Sequence, residues 1–201
     1  MKLDALPFNA FDVGLIVLLG MGISSGRKRG MSEELMDLIK WVAIVVACGF
    51  LYEPVGGMIA ESCPFSLLAS YLAAYVGGAL VIYGFFAMLK RGVGGKLVGS
   101  DIFGHSEYYL GMGAAVMRYV CVLIFGLAVL NARYFSPMEV KAREKYQMDN
   151  YNSEFFPGLD SAQAAVFQKS LTGPWIQGHL GFLLIKPTAP DTRDLPRRDT
   201  P

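Results

Sequence analysis

The chain has 201 residues, a formal net charge of +1, and 53% hydrophobic against 17% charged residues. Soluble domains carry about a quarter charged residues, so this chain is depleted of charge as a bilayer requires. The small net charge argues against a nucleic-acid protein, which needs a large basic surplus on one face.

Residues 1–7 form a short polar lead. Asn9 is placed to cap a helix, with Asp12 bonding back from the third helical position as in a capping box. A first apolar segment covers residues 8–25, near the lower limit of the roughly 17–25 residues a spanning helix needs. Its cations follow the apolar run instead of preceding it, and no A-x-A-like site closes it, so it reads as an anchor that stays attached. Gly22, Gly26 and Gly30 recur every fourth residue and place a glycine strip on one helix face, a packing surface.

Residues 26–35, Gly-Arg-Lys-Arg-Gly-Met-Ser-Glu-Glu-Leu, form a cationic hinge. Three consecutive cations do not cross hydrocarbon cheaply, so Arg27, Lys28 and Arg29 set the topology and offer charge to anionic lipid headgroups. The hinge reads as the inner turn of a membrane hairpin. The second segment, 31–52, must begin within this charged stretch, because its apolar run 41–52 is too short to cross alone. Glu33 and Glu34 then sit near the positive end of the helix dipole. Glu33, Asp37 and Lys40 share a face, and Pro54, Gly56 and Gly57 are expected to end the segment.

Segment three, residues 64–89, has no charged residue and is the clearest spanning helix. Ser70, Ala74 and Gly78 give it a small-residue packing stripe, while Tyr71, Tyr75 and Tyr83 supply aromatic, in part interfacial, surface. Lys90, Arg91 and Lys96 follow in a Gly-rich link that reaches Gly104. Segment four, 107–130, carries Arg118 about 16 Å along the helix from its start, too deep for comfortable solvation. Arg118 therefore meets an acid, backbone carbonyls or a water-filled cavity. Whether an acid partner is Asp12 or Glu34 depends on helix rotation and stays open, as does a solute path lined by Arg118. For Asp12 the alternatives are a cap and an ion ligand. For Glu34 they are a dipole-stabilising acid and the partner of a cation in the other basic loop.

The loops after segments one and three hold three cations each, and the loop from Glu53 to Cys63 holds two acids and no cation. Positive charge stays on the cytoplasmic side, which predicts both termini outside. Beyond the fourth segment, residues 138–148 read as a charged surface helix. Asp160 with Gln163 resembles a capping box, opening a helix that Gly173-Pro174 stops. Residues 175–185 are apolar but too few to cross, so they are expected on the membrane or the bundle. Residues 187–201 are proline-rich, charged and expected to be disordered.

Cys48, Cys63 and Cys121 are odd in number and lack C-x-x-C spacing, so neither a disulfide framework nor a zinc site is expected. His105 and His179 are far apart, and no Walker A, G-x-S-x-G or G-x-G-x-x-G pattern occurs. No catalytic residue, metal or cofactor is expected, and the chain reads as a non-enzyme.

The hinge resembles the colicin V production protein family, whose members carry an Asp early in the first helix and then G-x-x-[RK]-G-x-x-x-E-L. Asp12, then Gly26, Arg29, Gly30, Glu34 and Leu35 occupy those positions. The family's fourth helix opens D-R-x-x-G-x-x-x-G-x-x-R-G. Here Gly111 and Arg118 agree, Glu107 and Ala115 are close replacements, and Tyr108 and Tyr119 depart. The resemblance implies an inner-membrane protein tied to production or export of a peptide toxin and to envelope homeostasis. Some relatives resemble this bundle fused to an extracytoplasmic protease after the fourth helix. A channel or transporter subunit, and a scaffold recruiting partners through its tail, are the alternative readings.

The resulting expectation is an all-α integral membrane protein: a four-helix transmembrane domain over 1–135, surface or interfacial amphipathic helices over 136–186, and a tail. Asp12, Arg29, Glu34, Glu107 and Arg118 are the candidate polar residues, and Gly22, Gly26, Gly30 and Gly111 the packing glycines. The expected partners are the lipid bilayer, a second copy or other membrane proteins, and no nucleic acid.

Overall fold

The structure, a computed structural model, describes residues 9–97, 106–151 and 158–189. Among these the chain forms α1 (Ala10–Ser62), α2 (Leu67–Leu97), α3 (Glu107–Asn131), α4 (Pro137–Tyr151), α5 (Leu159–Phe167) and α6 (Gly173–Leu180), then a 3-10 turn at Gly181–Leu183. Three helices are long and apolar enough to cross a membrane: Ala10–Ser62, Leu67–Gly92 and Glu107–Asn131. Arg133 and Thr188 form a lone backbone bridge.

Asn9 opens α1 as its N-cap, and the Asp12 carboxylate accepts from Asn9 N at 3.1 Å to complete a capping box. A straight helix of 53 residues would extend about 80 Å, far beyond a hydrocarbon core about 30 Å thick. Gly30 prevents that. Its φ of 73° and ψ of 174° are the non-helical values inside α1. Before it, Gly22 lies on Val116 and Gly26 on Gly111, so α1 numbering falls as α3 numbering rises. After it, Ser32 meets Glu107, Glu34 meets Arg118 and Trp41 meets Phe125, so both numberings rise together. The two arms of α1 therefore lie in opposite senses along α3, and one glycine makes the reversal. The expected ten-residue hinge loop is helical on both sides of that residue.

α2 runs back along the second arm. Gly56 packs on Tyr71 and Ser70, Gly78 on Cys48, and Lys90 reaches Asp37. Three boundaries differ from the sequence expectation. Pro54 does not end α1, which continues to Ser62 because the bare Gly56 backbone rests on α2; apolar helices tolerate such residues where a neighbour packs against them. α2 begins at Leu67, where the Ser66 hydroxyl accepts from Ala69 N at 3.2 Å, and not at Pro64. It also runs through Lys90 and Arg91, because a helix leaving hydrocarbon keeps its hydrogen-bond ladder after its apolar run ends.

The core is built on aromatic rings between the helices. Tyr75 is fully buried, stacked on Phe125 at 5.2 Å and edge-on to Tyr52 at 6.3 Å; it is interior, not interfacial. Cys48 and Cys121 are buried and behave as small apolar side chains. Leu184 and Ile185 complete this core, so the 183–188 stretch belongs to the bundle. Val17, Phe50, Val81 and Met88 are exposed, an apolar periphery suited to lipid.

α5 starts without a side-chain cap at Gly158, so Asp160 does not form the expected capping box. Gly173 opens α6 instead of stopping a helix, with Pro174 in the first turn, where a missing N–H costs nothing. Thr188 exchanges backbone hydrogen bonds with Ala132 and Tyr134, which ties down residues expected in the free tail. The remaining tail at 190–201, the link at 98–105 with His105, and the stretch 152–157 lie outside the described residues.

Candidate functional site

Glycine sets the site because it removes the β-carbon where α1 crosses α3. A β-carbon at Gly26 would stand 2.7 Å from Met112 Cα, and one at Gly111 would stand 2.8 Å from Gly30 Cα. The backbones therefore touch, as small-residue interfaces permit. One at Gly30 would meet Glu107 Cγ at 2.8 Å. Glu107 is held there by accepting from Ser32 N at 3.3 Å. It thus serves an amide at the start of the second arm and sets a negative charge at that arm's positive end.

One turn further on, Glu34 is fully buried. Arg118 Nε stands 2.9 Å from Glu34 Oε2, and Arg118 Nη2 donates to Glu34 Oε1 at 3.3 Å. The shorter approach lies off hydrogen-bond alignment for both atoms, so it holds by charge. Ser25, from the first arm, donates to Glu34 and accepts from Arg118, each at 3.5 Å. Arg29 adds a guanidinium 3.6 Å from Glu34. The Arg118 guanidinium also lies 4.7 Å from the Tyr119 ring centroid, at one of the positions departing from the expected pattern. A pair this enclosed is costly to break, because Arg118 alone would be a poorly solvated unpaired charge and Glu34 would keep only the longer Arg29 contact.

Asp37, one turn beyond Glu34, is a second node. It pairs with Lys40 at 2.9 Å, Lys90 at 3.3 Å and Arg29 at 3.8 Å, tying α2 to both arms of α1. Arg29, Asp37, Lys40, Lys90 and Arg118 line a cavity of about 390 Å³. Trp41, Tyr83 and Phe86 form part of its wall, and Lys40 lies 4.6 Å from the Tyr83 ring centroid.

Asp12 lies at the other end of the bundle. Besides Asn9 N, its carboxylate accepts from Leu171 N at 3.1 Å, Thr172 N at 3.2 Å and the Thr172 hydroxyl at 2.7 Å. Asn9 Nδ2 donates to Ala165 O at 2.8 Å beside it. Asn131 donates to Ile185 O at 2.9 Å, and Lys186 N donates to the Tyr52 hydroxyl at 3.1 Å. Four side chains from the bundle thereby hold residues 165–186 in place.

The geometry joins two sequence motifs into one contact set: Gly26, Gly30 and Glu34 on α1 against Gly111, Glu107 and Arg118 on α3. The family model for the colicin V production protein matches residues 11–164. The chain belongs to that family. No curated protein and no solved structure matches it. The matched range contains every residue of the glycine crossing, the Glu34–Arg118 pair and the Asp37 node.

Of the candidate residues in this colicin V production family chain, Arg29, Glu34 and Arg118 converge, Glu107 closes the Gly30 reversal, and Asp12 stands apart. The acid paired with Arg118 is Glu34. Sequence reasoning passed over Ser25, Asp37, Lys40, Lys90 and Thr172 as site residues. Asp37 and Lys40 carried a usable signal: charges placed deep in the early turns of a membrane segment need partners. Thr172 carried none.

Proposed function

We propose that the protein is a multi-pass inner-membrane protein that supports peptide-toxin production or export and envelope homeostasis without catalysing a reaction. The two α1 arms, α2 and α3 would give four crossings. The basic end carrying Arg29 and Lys90 would face the cytoplasm, with both termini outside. The observation that carries this reading is the meeting of the two motifs at Gly26–Gly111 and Glu34–Arg118, within a range matched by the family model. The bilayer, and membrane proteins or a second copy within it, are the proposed partners. The test is genetic: delete the gene, restore wild type, and score both peptide secretion and resistance to detergents and bile-like amphiphiles. Restoration of neither trait by a stably inserted wild-type protein sinks this reading.

A second reading is a channel or transporter subunit, favoured by the presence of Arg118 in the lining of the Asp37 cavity. A cysteine at position 118 should then react with impermeant thiol reagents from one side. Failure of such reagents to reach it removes the path.

A further inference from the structure

The charge around the Asp37 cavity does not balance. Arg29, Lys40, Lys90 and Arg118 line it, while among the described residues the carboxylates in ion pairs with these cations are Glu34 and Asp37. Four positive charges less two negative leave an excess of two. The cations come from both α1 arms, α2 and α3, so the excess is held by the tertiary fold and not by one basic run. Arg29 and Lys90 are about half exposed, at 49% and 52%, whereas Lys40 and Arg118 are at 13% and 15%. The cavity thus has a wet, positive mouth at Arg29 and Lys90 over a poorly solvated floor where Lys40 and Arg118 are paired with Asp37 and Glu34. Trp41, Phe86, Met36 and Ala87 give the same cavity apolar walls.

We infer that this cavity binds the phosphate group of an amphiphilic anion, with the phosphate among the four cations and the apolar portion against Trp41 and Phe86. A phosphate group suits this positive mouth because its several oxygens can accept from ammonium and guanidinium donors at once, and Arg29 offers a planar fork for two of them. A soluble phosphate shares that chemistry but leaves the apolar wall unused, so an anionic lipid headgroup is the expected source. The site needs only that the bundle sits in a bilayer, and it stands whether or not the protein serves export.

The experiment uses the full chain with Trp175→Phe, so that Trp41 is the one tryptophan, reconstituted in phosphatidylcholine nanodiscs. Brominated phosphatidic acid is titrated in, with brominated phosphatidylcholine as the reference quencher. Trp41 quenching should favour the anionic lipid, and Lys90→Met should lower that preference about fivefold, the effect of removing one interfacial cation worth about 1 kcal/mol. Lys40→Met should do the same. Arg91→Met removes an exposed cation beside Lys90 that does not line the cavity and should leave the preference intact. Inorganic phosphate is titrated in a parallel arm. A Trp41 response to phosphate alone, lost with Lys90→Met, keeps the phosphate site and assigns its source to solution. No anion preference in either arm, or equal loss in the Arg91 variant, overturns the site.

Discussion

Glu34 and Arg118, 84 residues apart in sequence, meet at 2.9 Å around a carboxylate that has no solvent exposure. Removing Glu34 strands Arg118, and removing Arg118 leaves Glu34 only the longer 3.6 Å contact with Arg29. Glu34→Gln or Arg118→Leu should each destabilise the protein by about 3–5 kcal/mol, the cost of a buried charge left alone. Replacing both with methionine should recover much of that loss. Thermal unfolding of the purified variants checks this, and simple additivity of the two single losses would show that the residues are not coupled.

The glycine crossing makes a graded prediction. Gly26→Ala and Gly111→Ala each put a methyl group onto facing backbone and should cost about 1–3 kcal/mol, since neither helix can yield without moving the other. Gly30→Ala adds an essentially glycine-only backbone conformation, costing about 1–3 kcal/mol, to a clash with Glu107. Gly14→Ala, with nothing within 4 Å, should be neutral or slightly stabilising. The order of melting temperatures across these four variants is the measurement.

Asp12 holds the 171–172 turn, so Asp12→Asn and Thr172→Val should loosen residues 165–186 with little effect on the α1–α3 crossing. Each lost charge-assisted hydrogen bond is worth about 1.5–3 kcal/mol. Limited proteolysis should show faster cutting within this segment, and unchanged cutting would show that the clamp bears no load.

Lys186 Nζ contacts Glu53 Oε2 at 2.8 Å, and this carboxylate raises the lysine pKa above its ordinary value of 10.5. A raised folded pKa means the contact stabilises fully below the ordinary lysine pKa and fades as pH rises through the folded value. Both groups are more than half exposed, so the contribution is small and salt-sensitive. The melting difference between wild type and Lys186→Met should persist at neutral pH and vanish in strong alkali. A difference that survives there belongs to packing, not charge.

What the sequence revealed divides by range. The Asn9–Asp12 cap was legible because its partners lie three residues apart and obey one local geometry. The apolar segments and the glycine strip were legible for the same reason. The assignment of Glu34 to Arg118 was not, since it depends on how two helices rotate against each other. Pro54 and Gly56 looked like a terminus because local propensity disfavours both in a helix. The α2 surface that accepts Gly56 lies beyond any local window. The role of residues 183–185 in the core was hidden because the apolar run 175–185 fits a membrane surface equally well.

The Asp12 clamp also orders events during synthesis. Asp12 is made about 160 residues before Leu171 and Thr172, which supply three of its four hydrogen bonds. Until residues 171–172 are made, that carboxylate has only its own helix cap. Its final docking is a late step of assembly, and a chain stopped short of Thr172 would keep an under-satisfied acid at the mouth of its first helix. Such a chain carries a visible mark of incompleteness that the finished protein lacks.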